Sequence, residues 1–296
     1  MKPVDGRIRI GTSSFSSRDW IGPFYPQGTE EKDFLAFYSN VFDTVEIDST
    51  YYAIPSKSTV RKWVDSTPDD FIISVKFPRS VVHGGKGSKP ERAEVLIGDS
   101  AKSDRDRFLD SMESLGPKLG MILLQFPFFS TEIFPASEIF FDRLENFMES
   151  LPSRFRYAIE IRNRRWLDSK FVDLCRKFEA VPVMVDLAWM PHGDELPEIF
   201  HPPLGQNGYI RLLGDRKKIE SITSSWDKEV IDQNDRLKRW AILLAKMAGC
   251  GLSNFVYINN HYAGHAPATA KRLQRLCDDI ASGKKVGRSA ESADSR

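Results

Sequence analysis

The chain has 296 residues, 41% hydrophobic and 28% charged, the composition of a globular, enzyme-sized protein that needs neither metal nor disulfide to bury a core. Lys and Arg number 42 against 41 Asp and Glu, a net charge of +1, which gives no long-range field for nucleic acid or an anionic membrane. No run reaches the ~18 apolar residues of a membrane helix, and the start, MKPVDGRIRIG, lacks the charge and apolar run of a signal peptide, so the cytoplasm is the expected compartment.

Short runs rich in Val and Ile alternate with longer helical patterns along the whole chain. The predicted strands are residues 9–13 (RIGTS), 44–48 (TVEID), 71–76 (FIISVK), 120–126 (GMILLQF), 157–162 (YAIEIR), 181–186 (VPVMVD), 209–213 (YIRLL) and 255–260 (FVYINN). Helical patterns fall at 31–40, 58–65, 104–114, 140–150, 168–178, 235–248 and 267–280. Strand–helix alternation at this spacing predicts a parallel sheet of βαβ units. No GxGxxG opens a helix after the first strand, which removes the main argument for a doubly wound dinucleotide fold. The expected fold is α/β, a single (β/α)₈ TIM-type barrel over residues 1–280, with a polar tail at 281–296 expected to be disordered. The Pro-rich stretch 193–207 makes the sixth helix the weakest unit. Cys175, Cys250 and Cys277 each lie in a helical pattern and read as buried free thiols.

Alternate side chains of a barrel strand face the interior and the helix layer. In TVEID, Val45 and Ile47 then face the helices, while Glu46 and Asp48 face inward. The same parity places Lys76 with Ser74, Gln125 with Leu123, Glu160 and Arg162 with Ala158, Asp186 with Met184, Arg211 with Tyr209, and Asn259 with Tyr257. All of these polar residues sit near the C-terminal ends of their strands, the end where TIM barrels bind substrates. Polar side chains converge from seven strands, and the charges among them must compensate one another or meet a ligand.

These residues fall within ordered stretches: Gly11–Ser13 with Trp20, the run GPFYP at 22–26, VEIDSTYY at 45–52, Val75 with Lys76, QFP at 125–127, EIR at 160–162 with Trp166, Asp186, YIR at 209–211, and Asn259 with Asn260. In them the chain resembles the YecE-like family, domain of unknown function 72, over nearly its whole length. The resemblance implies a TIM barrel and names no reaction. Similar sequences often carry His where this chain has Asn163 and Leu213, so no imidazole is expected at either place.

Several chemistries suit such a mouth. Glu46 and Glu160 form a carboxylate pair of the kind that serves acid–base or glycosidic chemistry. Glu46, Glu160 and Asp186 with Gln125 or Asn259 are hard oxygen ligands suited to Mg²⁺ or Mn²⁺, as in a divalent-metal-dependent isomerase or phosphodiesterase. Lys76, Arg162 and Arg211 can hold a phosphate or carboxylate, and an interior lysine can form a Schiff base. The basic glycine-rich loop at 83–89 fails the GxxxxGK[ST] spacing of a phosphate-binding P-loop. The leading reading is a hydrolase or lyase acting on a small polar or phosphorylated sugar-like or nucleotide-like substrate. Its catalytic candidates are Glu46, Glu160, Lys76 and Asp186, and its substrate-binding candidates are Trp20, Tyr51, Gln125, Arg162, Arg211, Asn259 and Asn260. The alternative is a non-catalytic ligand-binding or nucleic-acid-binding barrel that uses the same mouth.

Overall fold

All eight predicted strands form, and all pair in parallel: β1 (Ile8–Thr12), β2 (Thr44–Ile47), β3 (Ile72–Lys76), β4 (Leu119–Gln125), β5 (Tyr157–Glu160), β6 (Val181–Leu187), β7 (Asn207–Gly214) and β8 (Ser253–Ile258). The computed structural model describes residues 6–284 except 85, 86, 88, 197–199 and 201–205; most of the predicted tail and parts of the two predicted loops lie outside the described residues. The strands pair in the order β1-β8-β7-β6-β5-β4-β3-β2. β1 and β2 lie side by side without a hydrogen-bonded ladder and so bring the ends of the sheet together.

A tyrosine hydroxyl closes this seam. Tyr38 Oη accepts from the Thr12 backbone N–H at 2.8 Å and donates to the Thr44 carbonyl at 3.1 Å. The strands approach closely because residue 11 is glycine: a Cβ there would lie 2.1 Å from the Thr44 carbonyl oxygen.

The helices are α1 (Phe34–Ser39), α2 (Lys57–Asp65), α3 (Arg79–Val82), α4 (Asp99–Met112), α5 (Ser137–Glu149), α6 (Ser169–Lys177), α7 (Arg216–Glu220), α8 (Asn234–Gly249) and α9 (Ala266–Ala281). Side chains set several starts: Ser56, Asp168 and Asp215 each accept from a backbone N–H in the first turn of α2, α6 and α7. Between β6 and β7 the described residues include a 3₁₀ turn, Gly193–Glu195, and no α-helix, at the unit the sequence marks as weakest. Cys175 and Cys277 are buried as expected, whereas Cys250, in the cap position after α8, is exposed.

Two cores result. The outer one packs strand faces such as Val45, Ile47, Ile73 and Val75 against the helices. The inner one fills the barrel with Met121, Leu123, Ala158, Val181, Val183, Tyr209, Phe255 and Tyr257. A polar column rises through one side of this interior. Tyr257 Oη lies 2.8 Å from both Thr44 Oγ1 and Ser74 Oγ, which satisfies a phenol that could not otherwise be buried. No helix among the described residues is long and apolar enough to cross a membrane.

Candidate active site

At the C-terminal end of the barrel the inner-face charges meet in one network centred on Arg211 of β7. Its Nη2 donates to Glu46 Oε1 of β2 at 2.9 Å, and its Nη1 donates to Glu160 Oε2 of β5 at 2.5 Å and to Gln125 Oε1 of β4 at 3.2 Å. Glu46 Oε2 also accepts from the Tyr209 hydroxyl at 2.6 Å, and Glu160 Oε1 from Arg162 Nε at 2.7 Å. Lys76 Nζ stands farther off, 3.5 Å from both Glu46 Oε1 and Gln125 Oε1. Parity therefore brings Glu46, Lys76, Gln125, Glu160, Arg162 and Arg211 together.

Their electrostatics divide into two groups. Burial alone would raise both glutamates, but Arg211 and Arg162 hold Glu160 down at about 2, and Arg211, Lys76 and the Tyr209 hydroxyl hold Glu46 below its ordinary value. Arg211 shifts upward because Glu160 and Glu46 outweigh its desolvation. Lys76 and Asp48 move toward each other. Burial and the charge of Arg211 lower Lys76 against the pull of the acids, whereas burial and Glu46 raise Asp48 against the pull of Lys76. Opposed shifts of this kind lower the cost of moving a proton between an ammonium and a carboxylate.

Above Arg211 the wall changes character. Val185, Leu187, Met190 and Leu213 form a small apolar cluster with Leu167 beside it. By strand parity Val185 and Leu187 continue the inward face of Val181 and Val183, and Leu213 that of Tyr209 and Arg211. The mouth is thus polar on the β2–β5 side and apolar on the β6–β7 side.

Other predicted site residues lie elsewhere. Asp186 belongs to the helix layer: it accepts from Trp240 Nε1 at 2.7 Å and Tyr262 Oη at 3.1 Å, and pairs with Arg236. Its strand partner in parity, Met184, joins the outer core, so the expected inward parity of β6 is reversed. Asp186→Asn is expected to cost about 1–3 kcal/mol of stability while leaving any ligand affinity at the mouth intact; a parallel loss of affinity in the folded variant would refute this placement. Trp20 is 1% exposed, packed on Tyr25 and His265, with Nε1 donating to Asn260 Oδ1 at 3.2 Å. It is a core residue rather than a pocket liner. Asn260 Oδ1 also accepts from the Ala266 N–H, and Asn259 Oδ1 from the His261 N–H, so both amides organise the loop after β8. Tyr51 is half-buried, bonded to Arg79 and close to Arg162, and borders a cleft of about 350 Å³ shared with Tyr52 and Arg79. Asn163 clips the β4–α5 loop: Oδ1 accepts from the Phe129 N–H at 2.9 Å and Nδ2 donates to its carbonyl at 2.8 Å.

The donor set does not fit a resident Mg²⁺ or Mn²⁺. Glu46 and Glu160 are already engaged by Arg211, Asp186 faces the helices, and the described residues contain no group of three His, Cys, Asp or Glu able to hold an ion. Strand parity sets Tyr209 on the inner face with Arg211, although it is not among the predicted site residues, and the apolar wall is not predicted at all. Of that wall, Leu213 shares the inward parity of Arg211 on β7 and could have been found by alternation.

The comparisons with known proteins follow this architecture. The model of a protein family of unknown function, DUF72, matches residues 9–291. UPF0759 protein YunF of Bacillus subtilis is 25% identical over 288 residues, covering 92% of this chain and 95% of YunF. UPF0759 protein YecE of Escherichia coli is 32% identical over 130 residues, which are 44% of this chain and 41% of the YecE length. A solved DUF72 family protein from Thermotoga maritima superimposes with a TM-score of 0.66 at 26% identity, over 92% of this chain and 99% of that one. Another, from Enterococcus faecalis, shares the fold with a TM-score of 0.65 at 20% identity, over 92% and 95%. With the family match running from β1 past the end of α9, this chain belongs to the DUF72 family.

Proposed function

We propose that the barrel mouth is the active site of a hydrolase or lyase acting on a small anionic substrate, of the phosphorylated sugar or nucleotide class. The observation that carries this reading is how charge is distributed on the floor. Arg211 is bonded to both Glu46 and Glu160, whose side chains are fully buried, while Lys76 and Arg162, which complete their charge balance, keep 9% and 22% side-chain exposure. An entering ligand therefore meets Arg162 and Lys76, with Asp48 near them, before it meets the buried glutamates. Arg162 pairs through Nε alone among the described residues, and a guanidinium offers further donors to a phosphate. The apolar wall of Val185, Leu187 and Leu213 suits the less polar face of such a molecule.

The chemistry follows from the proton states. A glycosidic acid–base pair needs one protonated carboxyl near neutral pH, and Glu160 at about 2 is ionised there. Glu46 and Glu160 serve as fixed countercharges that orient Arg211, Arg162 and Lys76. Lys76 and Asp48, with pKa values displaced toward one another, carry the proton transfers.

Calorimetric titration with inorganic phosphate, ribose 5-phosphate, glucose 6-phosphate and AMP, with product analysis, tests this reading. At least one of these compounds is expected to bind, and Arg162→Met should weaken it roughly tenfold or more, about 1.4 kcal/mol. Binding unaffected by Arg162→Met, or no binding across the panel, would rule the reading out.

A further inference from the structure

The hydrogen-bond order on the floor separates Lys76 from the other cations. Glu46 Oε1 and Gln125 Oε1, its two acceptors, each receive a shorter bond from Arg211, at 2.9 and 3.2 Å, than the 3.5 Å at which Lys76 stands. A guanidinium keeps its protons in a protein, whereas a buried ammonium can release one. Arg211 thus keeps a hydrogen bond on each of these acceptors, and loss of a proton from Lys76 leaves neither bare. Lys76 ends β3, with its backbone N–H held by Thr50 Oγ1 at 2.9 Å and its carbonyl accepting from the same hydroxyl at 2.9 Å. An amine on so fixed a strand end has a defined reach into the mouth.

We infer that Lys76 is an imine-forming nucleophile and that the substrate class is an aldehyde or ketone bearing an anionic group. This rests on the anionic-substrate reading above and narrows it. The neutral Lys76 amine adds to the carbonyl carbon, giving a carbinolamine. Within the carbinolamine one proton moves from the nitrogen to the hydroxyl, and water leaves as the C=N bond forms. Burial and the charge of Arg211 lower Lys76 below the ordinary lysine value, so at any given pH more of it is neutral than of a surface lysine. The groups facing it are Glu46 and Asp48 from β2 and the turn after it, Gln125 from β4, Glu160 from β5 and Arg211 from β7. The apolar wall limits water that would hydrolyse the imine.

The test is reductive trapping of the intact chain with glyceraldehyde 3-phosphate and cyanoborohydride at neutral pH, followed by peptide mass mapping. Hydride addition to the imine carbon leaves a stable secondary amine. Lys76 should be alkylated roughly tenfold faster than exposed lysines such as Lys57 and Lys102, and inorganic phosphate should slow Lys76 alone. Lys76→Arg should bind the probe by calorimetry without forming the adduct. If the probe binds wild type and Lys76 is labelled no faster than the surface lysines, the imine is refuted and the anionic site stands. If Lys76 is labelled preferentially but phosphate has no effect, the nucleophile stands and the anionic reading fails. Neither binding nor adduct refutes both.

Discussion

Replacing Arg211 with Met is expected to destabilise the protein by about 3–5 kcal/mol, because removing one partner from a buried ionic group leaves the others uncompensated. For a chain of this size that lowers the melting temperature by roughly 10 °C. Arg211 is 1% exposed and holds two carboxylates that are 0% exposed, so little water is available to take its place. Lysine is no substitute. The donors of an ammonium all leave one nitrogen, so it lacks the separate Nη2 and Nη1 that reach Glu46 of β2 and Glu160 of β5.

The pH dependence gives this prediction a sign. In the native protein Glu160 is held at about 2, below its unfolded value near 4.3. Its contribution is therefore fully present above the unfolded pKa and is lost as pH falls toward 2. Without Arg211, burial pushes Glu46 and Glu160 upward with less opposition. Any carboxyl raised above its unfolded pKa destabilises the fold at neutral pH and ceases to do so once protonated. Thermal melts should thus show the gap between wild type and Arg211→Met widest near pH 7 and smaller near pH 4. An equal gap at both pH values would contradict it. Adding Glu46→Gln and Glu160→Gln to Arg211→Met should recover part of the loss, since the buried charges then leave together.

How much of this was legible beforehand depended on the contrast within each strand. Eight strands could be read because parallel strands buried on both faces are short β-branched runs between polar connections. In TVEI and YAIE a charge interrupts the apolar pattern, so parity assigned Glu46 and Glu160 to the interior correctly. In β6, VPVMVDL, every residue is buried and both faces are apolar, so nothing in the alternation distinguished them. Asp186 was drawn inward by its charge, although Trp240, Tyr262 and Arg236 satisfy it among the helices. Trp20 and Asn260 lie in loops with no period, and their mutual hydrogen bond joins residues 240 positions apart. The apolar half of the mouth was missed for a related reason: Val185, Leu187 and Leu213 look like any core residues until the strand register sets them above Arg211.

The barrel seam supplies the second large effect. Gly11→Ala is expected to cost about 3 kcal/mol or more, at or beyond the upper end for an added methyl group in a packed core. The new Cβ would stand 2.1 Å from the Thr44 carbonyl oxygen and 3.0 Å from the Tyr38 hydroxyl. The nearer obstacle is backbone, so no rotamer change can relieve it, and β2 must move away from β1. Glu46 lies two residues beyond Thr44 on that strand. Displacing it would disturb the contacts with Arg211 and Tyr209, so the substitution should weaken the proposed anion binding as well as stability. Tyr38→Phe provides the contrast. It removes the hydroxyl that joins Thr12 to Thr44 without forcing the strands apart, and should cost only about 1–3 kcal/mol with the floor intact. Urea denaturation combined with phosphate titration separates the two variants. If Gly11→Ala proves as mild as Tyr38→Phe, or leaves the Glu46 side of the mouth functional, close approach of β1 to β2 is not what holds that side of the site in place.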